Sequence, residues 1–548
     1  TYTVSITGAS SDGLYPNYLN GVAKAGGGDG FQASNVEDLT KRLNDIFNQI
    51  QAVNSVFASA SLPASVSARG SYLNQVYMGV FRPDRDAKPR WRGNLKQYQF
   101  SYDPTTDTLS LTDSAGVSVV SAVTGFISPS AVSYWTSASS FWVNELQGTP
   151  KTASDSPDGE VVEKGGVAQK IRTVFDESQS TRAMYTCVGC AAGAALTATP
   201  QQFTSANTSV SAAFLATTST DRTNLINWVR GADNVTLDEK GPGAPKTIRP
   251  SVHGDVLHSR PLALNYTTGV VVFYGTNDGA LRAINGDQTG ANAGKELWSF
   301  IPEESFSKLK RLRDNAPEIR LTTTPPSALS ATPRDYFVDG AISAYQKFNS
   351  DNTIQAAHLF FGFRRGGRAL YSLDVTTPSE PTFRWKIKDT LTVNSVTYNV
   401  GQTWSEPKVA NVSIAGVTTR VIIMGGGYDA VAEDAATPGT TTMGNAVFII
   451  DADSGALIKA FPTTRSVPAD VTLIDSDKDG RVDRIYAIDI GGNLYRIDLG
   501  TIANSATSNW GMFQLASLAG SATRKFFFAP DVAFPDARAI VDLILREW

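Results

Sequence analysis

The sharpest chemistry in the sequence lies in one short run, Asp475-Ser476-Asp477-Lys478-Asp479-Gly480-Arg481-Val482-Asp483. Carboxylates fall at positions 1, 3, 5 and 9 of this run and glycine at position 6, a spacing that wraps oxygen atoms around a hard cation. The alternation of Asp475, Asp477 and Asp479 aims their side chains at one centre. Gly480 permits a sharp reversal of the chain, which turns the main-chain carbonyl of Arg481 inward, and Asp483 closes the far side. Carboxylates gathered so closely repel one another unless a cation lies between them. An all-oxygen set on a flexible loop favours Ca2+ over Zn2+ or a transition metal. The expected ligands of one calcium ion are therefore Asp475, Asp477, Asp479, Asp483 and the carbonyl of Arg481. The run departs from an EF-hand: Tyr486, not Glu, stands at position 12, and residues 485–490 read as a strand, so the loop is expected to join two strands. The competing reading is a solvated Asp/Gly turn without metal.

Other polar clusters carry less. Asp451-Ala-Asp453-Ser-Gly455 and Asn277-Asp278-Gly279 lack the later ligands and read as hairpin turns, and Asp155-Ser-Pro-Asp158-Gly-Glu160 reads as a solvated loop. Cys187-Val-Gly-Cys190 is open to three readings: a disulfide, a redox pair, or free thiols or half a metal site. No second Cys or His pair for zinc accompanies it, and no βαβ pattern surrounds it. His253 and His258, with Asp255 between them, read as structural. GxSxG, HExxH and Walker A sequences are absent, so no nucleophile elbow, zincin helix or phosphate loop is expected.

The elements that must position the acidic loop are short strands. Residues 271–284 read as two strands around the Asn277-Asp278-Gly279 turn, followed by a strand over 296–300. The order strand, turn, strand ending near Asp, strand with an aromatic recurs at 359–387 and 421–461, and a further copy begins with 484–488 and 494–498. Strands are also expected over 76–81, 95–100 and 108–111. Each copy is a four-stranded blade without its least regular strand, which predicts an all-β fold, a β-propeller. Radial closure also protects the edges of so many short strands. Earlier in the chain, Val36, Leu39, Leu43, Ile46, Phe47, Ile50 and Val53 recur at helical spacing behind a candidate capping box, Ser34 with Glu37. Residues 1–33 offer this helix too little apolar partner, so it is expected to be the last helix of an upstream domain. Residues 130–250 are expected to be a helical and loop insertion with helices over 133–146 and 221–230.

Composition excludes several classes. The chain of 548 residues is 41% hydrophobic but only 18% charged, with a net charge of −4. It can bury a large core, and it lacks the concentrated basic face that nucleic-acid binding needs. No apolar run is long enough to span a bilayer. Two cysteines do not make a disulfide-stapled scaffold. Thr1 and the absence of a signal segment read as a mature protein or a piece of a longer one.

Several blocks together resemble the PilC/PilY family of type IV pilus biogenesis and tip-adhesin proteins. They are Asn74-Gln-Val-Tyr77 with Phe81-Arg-Pro83, Trp91-Arg-Gly-Asn-Leu-Lys96, Gly254-Asp-Val-Leu-His-Ser-Arg-Pro261, Val272-Phe-Tyr-Gly-Thr-Asn-Asp-Gly279 and Trp404-Ser-Glu-Pro407. The acidic loop, Arg484-Ile-Tyr-Ala and Gly492-Asn-Leu-Tyr-Arg496 complete the set. The resemblance implies a modified seven-bladed propeller over 57–548, preceded at 1–56 by the tail of a von Willebrand factor A-like domain and a linker. It implies a non-enzymatic protein exported through the periplasm and outer membrane to the bacterial surface and pilus tip. Calcium there controls pilus extension against retraction, and the partners are minor pilins of the tip complex and a host-cell ligand. The runner-up is a quinoprotein (PQQ-type) dehydrogenase propeller, whose blades carry runs similar to Gly294-Lys-Glu-Leu-Trp298. Here, however, the calcium ligands sit in one loop with no open position beside them. An integrin-α-like propeller would carry several complete acidic loops, and this sequence has one.

Overall fold

Runs of Val, Ile, Phe and Tyr closed by Gly, Asn and Asp turns pair as antiparallel sheets, and such sheets dominate the computed structural model. It describes residues 3–6, 14–25, 30–36, 38–40, 42–43, 57–61, 74–84, 86–122, 124–139, 142–143, 152–175, 179–234, 248–249, 252–320, 331–435, 437–500, 505–518, 524–533 and 540–542. The four predicted repeats are all sheets. The first contains Gly269–Gly275, Leu281–Asn285 and Glu296–Phe300; the second Ile354–Gly362, Ala369–Asp374 and Thr382–Lys388. The third contains Val417–Gly425, Ala446–Asp451 and Leu457–Pro462; the fourth Arg484–Ile488, Asn493–Asp498 and Gly511–Ser517. Each begins one strand earlier than the sequence pattern shows, with Leu262–Tyr266, Ile342–Phe348, Lys408–Ile414 and Thr472–Ile474. A further sheet joins Phe57–Ser61, Gln75–Arg82, Arg92–Asp103 and Thr108–Thr112. Among the described residues these are five sheets of four or more strands, where the resemblance implies seven blades.

Consecutive sheets pack face to face, and each seam has its own apolar core. Tyr77 and Leu95 meet Val272 and Tyr274. Phe273 and Trp298 meet Phe361 and Tyr371, Phe360 and Trp385 meet Phe448 and Ile450, and Ile423 and Ile449 meet Ile485 and Ile497. Middle strands are therefore buried on both faces and are rich in apolar residues, with single buried polar residues such as Arg282 and Ser372 among them.

The insertion departs from expectation in two places. Helix Arg222–Arg230 forms as predicted, but no helix forms over 133–139, and Trp142–Val143 is a strand paired with Thr152–Ala153. Serines there bond elsewhere, a known competitor of helix. Ser133 donates from N–H and Oγ to Asp158, both at 2.8 Å, and Ser139 Oγ donates to Asp155 at 2.6 Å. The same contacts correct the reading of 155–160 as solvated: Asp155 and Asp158 are buried, paired with Arg172 at 2.6 Å and Lys96 at 2.9 Å.

Near the start, Thr3–Ile6 and Gly30–Ala33 pair in parallel around the helix Leu14–Ala25, a βαβ unit. Of the predicted helix that follows, residues 36, 38–40 and 42–43 are helical. Asn35, not Ser34, caps it, accepting the Asp38 N–H at 2.8 Å, while Ser34 Oγ donates to Asp38 at 3.0 Å. Glu37 and the apolar positions from Ile46 to Val53 lie outside the described residues. Helices Gly166–Val174 and Phe306–Asp314 had no sequence counterpart in the expected pattern. No helix among the described residues is long and apolar enough to cross a membrane.

Buried charge ties the first sheet to the insertion. Glu296 accepts from Arg182 at 2.6 and 2.9 Å and from Arg282, which also pairs with Asp278. Beside this network His253 is buried, with Nδ1 2.7 Å from the Gly254 carbonyl and Nε2 2.7 Å from the Tyr274 hydroxyl. A carbonyl only accepts, so Nδ1 donates and Nε2 accepts from Tyr274 in the neutral ring. Burial first, then the Arg282 guanidinium, push its pKa down to about 3. The unfolded ring titrates near about 6.5. Its contribution is complete above that value and is lost as pH falls towards the folded value, at a slope approaching about 1.4 kcal/mol per pH unit. Urea midpoints between pH 7.5 and 4.5 are expected to show this slope, and His253→Gln is expected to flatten it.

Candidate metal centre

The acidic loop joins Thr472–Ile474 to Arg484–Ile488, neighbours in the fourth sheet, so the expectation of a loop between two strands holds. Strand pairing fixes its ends: the Asp483 N–H donates to the Ile474 carbonyl at 2.9 Å, and the Leu499 N–H donates to the Asp483 carbonyl at 2.8 Å. Lys478 and Gly480 both have positive φ, 62° and 85°, and these two left-handed residues turn the chain back on itself.

The turn brings carboxylate oxygens of Asp475, Asp477 and Asp483 within 4.8 Å of one another. Asp475 accepts the Gly480 N–H at 2.8 Å and the Asp479 N–H at 3.1 Å. Partial desolvation acts upward on its pKa, but these amide hydrogens outweigh it and hold the carboxyl below its ordinary value. Asp477 moves the other way: desolvation first, then the Asp483 charge, raise its pKa. Asp483 accepts from Ser476 twice, from N–H at 2.7 Å and from Oγ at 2.5 Å. Ser476 is a positioning residue that the spacing argument passed over, since it only attends to where acids fall.

Asp479 lies outside this group. Its Oδ1 accepts the Arg481 N–H at 2.9 Å and its Oδ2 is paired with the Arg481 guanidinium. The sequence pattern places four carboxylates at one centre; the structure gathers three, because a cation from the chain itself engages the fourth. Arg481 also reaches Thr418 Oγ1 at 3.2 Å, and the Val482 N–H donates to the Asn411 carbonyl at 2.8 Å. Both partners belong to the third sheet, so the loop is stitched to its neighbour.

The donor set fits a hard divalent cation. The converging side-chain atoms are carboxylate oxygens, and like charges this close favour an ion between them. Asp475, Asp477 and Asp483 would hold calcium directly, while Asp479 is engaged by Arg481.

The remaining candidates are structural. Asp451 caps its own turn, accepting from Asp453 and Ser454 N–H at 3.1 and 2.7 Å, while Asp453 pairs with Arg384 at 2.9 Å. Cys187 and Cys190 form a disulfide. His258 Nδ1 lies 2.5 Å from Asp339. The run Gly294-Lys-Glu-Leu-Trp298 is spent on packing: Glu296 faces its two arginines, and Trp298, in the seam between the first and second sheets, donates its indole N–H to the Pro378 carbonyl at 2.7 Å.

Residues 256–527, which include the whole acidic loop, match the family described as PilY1 beta-propeller domain. A type IV pilus biogenesis factor PilY1 homolog of Xylella fastidiosa (strain Temecula1 / ATCC 700964) is 27% identical over 297 residues, covering 50% of this chain and 21% of that protein. The type IV pilus biogenesis factor PilY1 of Pseudomonas aeruginosa (strain UCBPP-PA14) is 27% identical over 286 residues, covering 46% of this chain and 21% of that protein. The chain thus spans about a fifth of the length of these curated relatives. The crystal structure of the Pseudomonas aeruginosa PilY1 C-terminal domain aligns at 23% identity with a TM-score of 0.34, covering 50% of this chain and 51% of that one.

Proposed function

From its membership of the PilC/PilY family, carried by the PilY1 β-propeller domain at residues 256–527, we propose that this protein is a non-enzymatic type IV pilus biogenesis factor whose acidic loop binds one calcium ion. The observation that carries the calcium reading is the convergence of Asp475, Asp477 and Asp483 within 4.8 Å on a strand-to-strand turn. Calcium replaces the mutual repulsion of these carboxylates with attraction and stiffens the turn. Because the turn is bonded to Asn411 and Thr418 of the third sheet, occupancy also biases the surface that the two sheets share. Through that bias the ion sets pilus extension against retraction, and with it twitching motility and attachment to host cells. The partners on this reading are minor pilins at the tip and a host-surface ligand, and the place of action is the cell surface. The parallel βαβ unit near residue 1 supports the reading of 1–56 as the tail of a von Willebrand factor A-like domain and linker, with the propeller domain over 57–548.

Asp477→Asn, expressed at the parent level, is expected to change pilus number and twitching in the bacterium that makes the protein. Electron-microscopic pilus counts and twitching-zone diameters check this. Counts and zones equal to the parent's, in a variant shown to have lost calcium, would leave the loop as scaffold and remove calcium from the function.

A further inference from the structure

Arg481 is the one residue of the acidic loop whose side chain faces both ways, to a carboxylate of its own turn and to the neighbouring sheet. Its guanidinium pairs with Asp479 Oδ2 while its N–H takes Oδ1 at 2.9 Å, so both oxygens of Asp479 are engaged by one residue. Both contacts are charge-assisted hydrogen bonds to one carboxylate. The other guanidinium nitrogen donates to Thr418 Oγ1 at 3.2 Å, and the next residue, Val482, is pinned to Asn411 at 2.8 Å. Arg481 is therefore anchored from outside the loop and does not simply follow Asp479. Among the described residues, none of the other three carboxylates is in ion-pair contact with a basic side chain. Lys478, with φ of 62°, stands exposed at the tip without such a contact.

We propose that Arg481 is an internal competitor for the metal: it holds Asp479 away from Asp475, Asp477 and Asp483, and calcium capture requires Asp479 to exchange the guanidinium for the ion. This rests on the reading of the loop as a calcium site. Arg481 then has two opposed effects. Its carbonyl is a ligand expected from the loop spacing, while its side chain lowers affinity by occupying another ligand. The device neutralises one carboxylate when calcium is scarce, which keeps the empty loop from being forced apart by its own charge. It also sets the free calcium concentration at which the loop fills, without any change in the ligand set.

Calorimetric titration of the purified chain with calcium chloride tests this on five proteins: the parent, Arg481→Gln, Lys478→Gln, Asp479→Asn and the double variant Arg481→Gln/Asp479→Asn. Arg481→Gln keeps the main-chain carbonyl and is expected to bind calcium about threefold to fivefold more tightly, the scale of an exposed ion pair. Lys478→Gln removes the same charge from the same turn but frees no ligand, and is expected to change affinity by about twofold or less. The excess of Arg481→Gln over Lys478→Gln is expected to vanish when Asp479 is already Asn, the signature of coupling between the two residues. If the parent binds calcium and Arg481→Gln binds no more tightly than Lys478→Gln, or if the excess survives in the Asp479→Asn background, the inference is overturned while the calcium reading stands. A parent chain that takes up no calcium overturns the calcium reading itself.

Discussion

Asp483→Ala is expected to erase a calcium-dependent gain in stability of about 2.7 kcal/mol, the mass-action value when free calcium is about a hundred times Kd. The gain arises because calcium binds the folded loop and not the unfolded chain, where nothing holds Asp475, Asp477 and Asp483 together. Asp483 is the apt position to remove. It closes the group from the far side of the turn, and its loss also frees the Ser476 N–H and hydroxyl that hold it. Those groups reach solvent, so without calcium the variant should unfold close to the parent. Urea titrations with calcium and with a chelator, on both proteins, separate the two contributions. A variant that gains as much from calcium as the parent would show that the ion sits elsewhere.

Glu296→Ala is expected to cost more, about 3–5 kcal/mol, because it strips the shared partner from two buried arginines. Burial alone would raise the Glu296 pKa, but Arg182 and Arg282 outweigh it and hold the carboxylate in its charged form. Arg182 is fully buried and Arg282 nearly so, and neither can turn to water when the carboxylate is gone. Arg282 keeps Asp278, and among the described residues Arg182 keeps only the Arg230 carbonyl at 2.8 Å. Equilibrium urea unfolding at neutral pH measures the loss, and a cost below about 1 kcal/mol would contradict the uncompensated-charge argument. Glu296→Gln, which preserves shape and one acceptor, should fall between the parent and the alanine variant.

Much of this was legible in the sequence wherever a strand is buried on both faces. Gly269–Gly275 and Ala446–Asp451 are nearly unbroken apolar runs ending at turn residues, and they stand out. The first strand of each repeat does not. Ile342–Phe348 is a sheet edge with one fully buried residue, so its composition differs little from that of a loop. The acidic loop was legible because cation ligation imposes spacing on neighbours in sequence. What spacing does not reveal is competition: the guanidinium that removes Asp479 from the group belongs to the residue whose carbonyl the pattern had claimed. Asp155 and Asp158 failed for a related reason. A short acidic run reads as solvated unless the buried cations that meet it, Arg172 and Lys96, are known, and Lys96 lies 62 positions away from Asp158. Ser133 and Ser139 spoiled a predicted helix by the same long-range pairing.

The turn between the first two strands of the third sheet has a mechanical meaning. Ala415 and Gly416 donate N–H groups to the Ser505 carbonyl and Oγ at 3.3 and 2.9 Å, while Asn411 and Thr418 on its flanks hold Val482 and Arg481. The fourth sheet thus grips this hairpin from two separated segments, one before and one after its central strands. Separating the fourth sheet from this hairpin therefore requires both sets of contacts to break. The acidic loop forms one of the two jaws of this clasp.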